Sequence, residues 1–168
     1  MSDQATPAAA TPAPAHVRAV APKCILAVAS GGGHWVQLLR LRPAFAGHRV
    51  QWLSTKAGYS KDVSEPLHVV RDASLWNKGA LVVMFLQVAW LIIRVRPDLV
   101  ITTGAAPGFA AIVIGRLLGA RTVWIDSIAN SETLSTSGAK VGRWAHVWLT
   151  QWPHLSTEQG PACWGAVL

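Results

Sequence analysis

Acidic residues are scarce in this chain: eight Asp and Glu stand against fifteen Lys and Arg, a formal charge of +7. That balance favours anionic partners, yet the basic residues are spread singly and form no run of the kind that tracks a nucleic acid, so nucleic acid is excluded. An anionic membrane or a phosphorylated substrate fits better. Cysteine is nearly absent: Cys24 and Cys163 belong to no CxxC and no Cys/His cluster, which excludes a structural zinc site and a disulfide framework and implies a reducing compartment. Two nucleotide signatures are also missing. The glycine run at 31–33 has Val36 where G-x-G-x-x-G needs its third Gly, the second strand ends in Ser54-Thr55 with no acidic residue for a ribose, and no G-K-[ST] occurs anywhere. NAD and ATP are thereby disfavoured, and neither a cofactor nor a metal is expected.

Met1 to Pro22 has no hydrophobic core of a signal sequence and is dominated by Ala, Pro and Thr. It reads as a disordered leader, residues 1–22, ahead of one domain at 23–168. What the chain does have is apolar bulk. Nine tryptophans and a hydrophobic share of 51% make an unusually apolar domain, some of whose surface is expected to meet lipid or a partner chain.

The apolar runs alternate between two kinds. Cys24–Ala29, Arg49–Ser54, Leu67–Val70, Asp98–Thr103, Arg121–Ile125 and Val147–Trp152 read as strands, the last of them closing the sheet. Val36–Phe45, Gly79–Ile93, Pro107–Leu118 and Lys140–Ala145 read as helices, with 55–66 as a loop and an apolar tail from Thr157. This βαβ alternation predicts an α/β fold, a Rossmann-like parallel sheet with helices on both faces and ligands at the carboxyl ends of the strands.

Ser30-Gly31-Gly32-Gly33-His34 sits between the first strand and a helix start. Glycine lets the backbone approach closely and the free N–H groups of a helix start attract an anion, so this loop is either a phosphate cradle or a tight strand-to-helix turn. His34 is placed there to accept a proton or to hydrogen-bond a phosphate. Gly104 follows the fourth predicted strand. Asp126 and Ser127 end the fifth, where the carboxylate is a base or a structural cap; Glu132 is a second candidate base. Ser135 and Ser137 lie in a hydroxyl-rich tract that binds phosphate or sugar, or merely turns.

Gly79–Ile93 has only Gln87 as a plainly polar residue. At about 1.5 Å per residue it reaches about 22 Å, short of the ~30 Å hydrocarbon core, so it is not expected to span. Trp76, Lys78, Phe85, Leu86, Trp90, Ile93, Arg94 and Arg96 have the character of an interfacial anchor; burial of the same helix against the sheet is the competing reading.

Ala29–His34, Asp98–Gly104, Val123–Ser127, Leu134–Gly138, Leu149–Pro153 and Gly165–Leu168, in that order, resemble the asparagine-linked glycosylation protein 14 family. The resemblance covers about residues 23–168. It implies the membrane-associating, acceptor-side subunit of a two-chain UDP-sugar glycosyltransferase, the bacterial members working in capsule and exopolysaccharide assembly. The chain is also distantly similar to the N-terminal half of the lipid II-forming N-acetylglucosaminyltransferase, whose glycine-loop histidine falls on His34 and whose strand-end glutamate falls on Asp126. The implied fold is the N-terminal half of a GT-B glycosyltransferase, and the implied partners are a donor-binding chain, a lipid-linked saccharide and the cytoplasmic face of the plasma membrane. Trp152, Trp164, Val167 and Leu168 are the residues expected to meet the donor-binding chain. A non-catalytic scaffold that recruits a cytosolic transferase is the alternative.

Overall fold

The computed structural model describes residues 21–74 and 76–167, so the expected leader, apart from Ala21 and Pro22, and Leu168 lie outside the described residues. Seven strands form one parallel sheet: β1 (Cys24–Val28), β2 (Arg49–Ser54), β3 (Leu67–Val69), β4 (Leu99–Thr102), β5 (Arg121–Ile125), β6 (Val147–Thr150) and β7 (Ala162–Cys163). Their order is β3-β2-β1-β4-β5-β6-β7. The helices are α1 (Gly33–Arg40), α2 (Lys78–Val95), α3 (Ala105–Leu117) and α4 (Thr136–Val141).

Strand alternation sorts the core into two layers. Ile25, Ala27 and Ala29 of the first strand and its exit pack with Trp35 and Leu38 of α1, while Leu26 and Val28 face Met84, Val88, Ile112 and Val141 of the other three helices. Helices therefore cover both faces, α1 on one and α2, α3 and α4 on the other. Being buried on both sides, β1 is apolar throughout.

Local chemistry sets the helix ends. Asn77 caps α2 by accepting from the Ala80 N–H at 2.9 Å, and the helix stops at Arg96 in the left-handed region, φ 48°, just before Pro97. Ser135 caps α4 by accepting from the Gly138 N–H at 2.8 Å, which starts that helix four residues before the predicted Lys140. Three further expectations need correction. Helix α1 gives way to a 3-10 turn at Arg42–Phe45, and the loop after β2 contains another at Ala57–Lys61. β6 does not close the sheet, because Ala162–Cys163 of the tail adds β7 to its edge.

Candidate functional site

β1 and β4 are neighbours, and the chain runs outward from them in opposite directions. Such a switch point opens a crevice at the carboxyl ends of the two strands. Two helices begin there, α1 behind Gly32 (φ 57°) and α3 behind Gly104 (φ 127°). Both glycines occupy conformations that a side chain would strain. The Val36 N–H bonds the Gly32 carbonyl, and no acceptor among the described residues takes the N–H groups of Gly33, His34 and Trp35. The crevice thus carries the partial positive charge of a helix start.

His34 crosses this crevice. Its Nδ1 lies 2.8 Å from the Thr103 carbonyl, and the Thr103 hydroxyl returns a bond to the His34 carbonyl at 2.7 Å. A carbonyl only accepts, so the neutral ring carries its proton on Nδ1 and keeps the lone pair on Nε2. Gly104 lies directly against the ring: a Cβ there would stand 2.9 Å from His34 Cε1. Sequence reasoning gave Gly104 but missed Thr103, the residue that orients the imidazole.

The glycine loop is less open than its sequence implies. The Gly32 N–H donates to the Tyr59 hydroxyl at 2.9 Å, so one donor expected to face a phosphate is already taken. Tyr59 in turn stacks on Trp35, with ring centroids 4.6 Å apart and planes within 7°. A lone tyrosine in a polar loop gives no sequence signal for that contact. The Ser30 carbonyl is held by the Ser54 hydroxyl at 2.6 Å and the Thr55 hydroxyl at 2.8 Å, which ties the loop to the end of β2.

Asp126 is placed differently from expectation. Its side chain is 1% exposed and accepts four bonds: from Trp124 Nε1 at 3.2 Å, Asn130 Nδ2 at 3.3 Å, the Ser135 N–H at 2.9 Å and the Ser135 hydroxyl at 2.6 Å. A buried carboxylate with both oxygens engaged fastens the loop after β5 and has no lone pair turned to a substrate. Its role in the structure is that of a loop fastener, the helix cap itself being Ser135, and Ser135 is consumed by the same fastening. Ser127 is consumed as well, its hydroxyl accepting from Gln37 Nε2 at 3.0 Å and from the Ala129 N–H at 3.3 Å. Glu132 is exposed on that loop, and Ser137 is half-buried in the first turn of α4. The structure thus joins Ser30–His34 with Gly104 in one crevice and gathers Asp126, Ser127 and Ser135 in a separate, structural cluster.

Gln37 links the two. Buried one turn beyond His34, its Oε1 accepts from the Ile128 N–H at 3.1 Å and from Gln151 Nε2 at 2.7 Å. Gln151 also donates to the Asp126 carbonyl at 2.9 Å and accepts from the Val167 N–H at 2.7 Å. Val167 is therefore folded onto its own domain, and Trp152 Nε1 donates to the Ile128 carbonyl at 2.8 Å. Of the described residues expected to meet a partner, Trp164 is the exposed one, at 74%.

Helix α2 has 18 residues, about 27 Å, longer than predicted. Among the described residues it is the one helix long and apolar enough to cross a membrane, by length and composition alone. Ala80, Met84, Val88, Leu91 and Ile92 are nevertheless buried in the core, so the helix is a cover of the sheet. Its outer face leaves Leu86, Trp90 and Ile93 exposed, with Trp76, Lys78, Arg94 and Arg96 exposed around its ends. Phe85 is the exception in the expected set: it is half-buried against the core.

Neither a protein-family model nor a curated protein sequence matches the chain. Solved structures do. MurG from Acinetobacter baumannii superposes with a TM-score of 0.68 at 20% identity, over 84% of this chain and 44% of that one. UDP-N-acetylglucosamine 2-epimerase from Rickettsia bellii gives 0.62 at 10% identity, over 79% and 40%. A glycosyltransferase from Rickettsia africae gives 0.55 at 14% identity, over 72% and 34%. The chain spans less than half the length of each of these. What they share with it is the fold, which is that of the N-terminal domain of GT-B glycosyltransferases such as MurG.

Proposed function

We propose that this chain is the acceptor-binding, membrane-associating subunit of a two-component UDP-sugar glycosyltransferase, of the asparagine-linked glycosylation protein 14 type, acting in polysaccharide biosynthesis. It works beside a donor-binding chain and adds a sugar to a lipid-pyrophosphate-linked saccharide at the cytoplasmic face of the plasma membrane. The observation that carries this reading is His34: a histidine with a fixed Nδ1–H and a free Nε2, set between two helix starts at the switch point of a GT-B-type sheet.

In the reaction the acceptor hydroxyl oxygen bonds to the anomeric carbon of the UDP-sugar while the bond from that carbon to the β-phosphate oxygen breaks. UDP leaves with the electron pair, and the hydroxyl proton passes to His34 Nε2. The unpaired N–H groups of the first turn of α1 hold the acceptor pyrophosphate, and the donor-binding chain neutralises the departing UDP. Membrane association is supported by the outer face of α2, where exposed apolar side chains lie between aromatic and basic ends.

The test is reconstitution. Sugar transfer to a lipid-pyrophosphate acceptor is measured with this chain, with the donor-binding chain, and with both. Turnover only in the mixture is expected. Robust turnover by this chain alone would contradict the two-component reading, and none in any mixture would contradict the glycosyltransferase reading.

A further inference from the structure

The outer face of α2 is not a uniform apolar surface. Between α2 and the edge strand β3 lies a groove of about 620 Å³, with Leu67, Val69 and Val70 on one wall and Val83, Leu86 and Trp90 on the other. Val69, Leu86 and Trp90 are 49%, 65% and 61% exposed, so the groove is open and its walls are large apolar side chains. Val82 and Ile93, also exposed, lie outside it. The apolar residues of α2 thus divide into a lining set and an outward set.

Two polar atoms of the lining are engaged within the protein. His68 Nε2 lies 2.7 Å from Gln51 Oε1, and Gln87 Oε1 accepts from the Arg71 N–H at 2.8 Å. Burial, and then the nearby Arg94 charge, hold the His68 imidazole below its ordinary range, so the floor stays uncharged at neutral pH. The rim is different: Arg94 lies 5.5 Å from the Trp90 ring centroid, and Arg71 follows Val70 at the end of β3.

One lysine stands near both the end of the groove and the glycine loop. Lys56 reaches Asp72, two residues past Val70, at 3.4 Å, while its Cγ would stand 3.4 Å from a Cβ on Gly31. Both members of that ion pair are more than half exposed, so the pair is weak and its ammonium is available to an anion. An apolar trough, a cationic rim and a lysine running back to the glycine loop match a molecule with an anionic head and a long hydrocarbon tail.

We propose that the groove between β3 and α2 binds one hydrocarbon chain of the acceptor lipid, its phosphate lying toward Lys56 and the glycine loop. This rests on the acceptor-lipid reading above and adds to it a place for the chain, which leaves Val82, Ile93 and the basic ends of α2 to meet the bilayer.

Dodecyl phosphate below its micelle concentration is the probe, titrated calorimetrically into the whole chain, with butyl phosphate and inorganic phosphate as controls for the anion alone. At least tenfold tighter binding of dodecyl phosphate than of either control is expected. Val83→Trp, and separately Leu86→Trp, should weaken it at least tenfold by filling the trough, thermal unfolding reporting that each variant folds. Val82→Ser with Ile93→Ser, outside the trough, should keep the probe affinity within about threefold while weakening binding to phosphatidylglycerol vesicles. Equal affinity for dodecyl and butyl phosphate, or wild-type affinity in both folded tryptophan variants, overturns the proposal. So does a dimer in sedimentation that Val83→Trp dissociates, which would give the groove to a second copy of the chain. None of these readouts uses transfer, so failure of the glycosyltransferase reading registers in the reconstitution assay and failure of the groove registers here.

Discussion

His34 owes its orientation to a single neighbouring segment, Thr103–Gly104: the carbonyl before the glycine takes its Nδ1–H, and the absence of a side chain at 104 leaves room for the ring. Gly104→Ala puts a Cβ against Cε1 at a positive φ, so two penalties coincide. It should cost about 1–3 kcal/mol of stability and move the imidazole off Thr103. Nitrogen-15 NMR of the histidine ring checks this: the wild type should show a single Nδ1–H tautomer and the variant a mixture. An unchanged tautomer in Gly104→Ala would contradict the packing argument. Asp126 gives the opposite kind of expectation. Asp126→Asn sets an amide N–H₂ against donors and should destabilise the fold by about 1–3 kcal/mol, whereas His34→Ala should leave unfolding nearly unchanged. Denaturant titrations of the two variants separate the fastener from the proposed proton acceptor.

At the scale of elements, α2 divides by face. Val88→Glu buries a charge in the core and should prevent folding, while Val82→Glu and Ile93→Glu, on exposed positions, should leave the thermal midpoint nearly unchanged and release the protein from anionic vesicles. Collapse of the exposed variants would put those residues in the core. How legible each element was follows from how its residues are satisfied. β1 and β4 were readable because strands buried on both faces are apolar runs, β2 and β5 because their β-branched and aromatic residues alternate with polar ones, and α2 because its run is long. β7 was not readable: two residues recruited to an edge by backbone pairing leave no periodicity. Helix α4 was misplaced because its start depends on a Ser135 cap inside a hydroxyl-rich tract, where sequence does not say which hydroxyl serves. In the site, the glycine loop and His34 were legible from the strand–glycine–helix order. Tyr59, Thr103 and the Gln37–Gln151 pair were not, since each acts through contacts between residues distant in the chain. The tryptophans were only half legible: Trp35, Trp52 and Trp124 fill the core, and Trp76, Trp90 and Trp164 are on the surface.

At the scale of the whole molecule, two histidines tie stability to pH. Burial, and then Arg94, lowers the His68 pKa; burial, and then Arg116 and Arg121, lowers that of His146. His146 Nδ1 also accepts from the Thr122 N–H at 3.1 Å, a bond that protonation breaks. The unfolded chain then binds protons more readily than the folded one, so stability is full above the ordinary histidine value of about 6.5 and is lost as pH falls below it toward the folded values. Thermal midpoints should drop between pH 7.5 and 5.5, and less steeply in His68→Gln or His146→Gln; a midpoint rising on acidification would contradict the sign.

A catalytic subunit and a scaffold differ in whether the switch-point crevice takes part in transfer. General acid–base catalysis is typically worth about 10²–10⁴ in rate. The decisive measurement is kcat of the assembled two-chain complex carrying His34→Ala and, in parallel, His34→Asn, which keeps hydrogen bonding without proton acceptance. Both should lower kcat by about 10²–10⁴ while complex formation and vesicle binding persist. A change of no more than a few-fold in either variant would contradict the account and leave the chain as a scaffold.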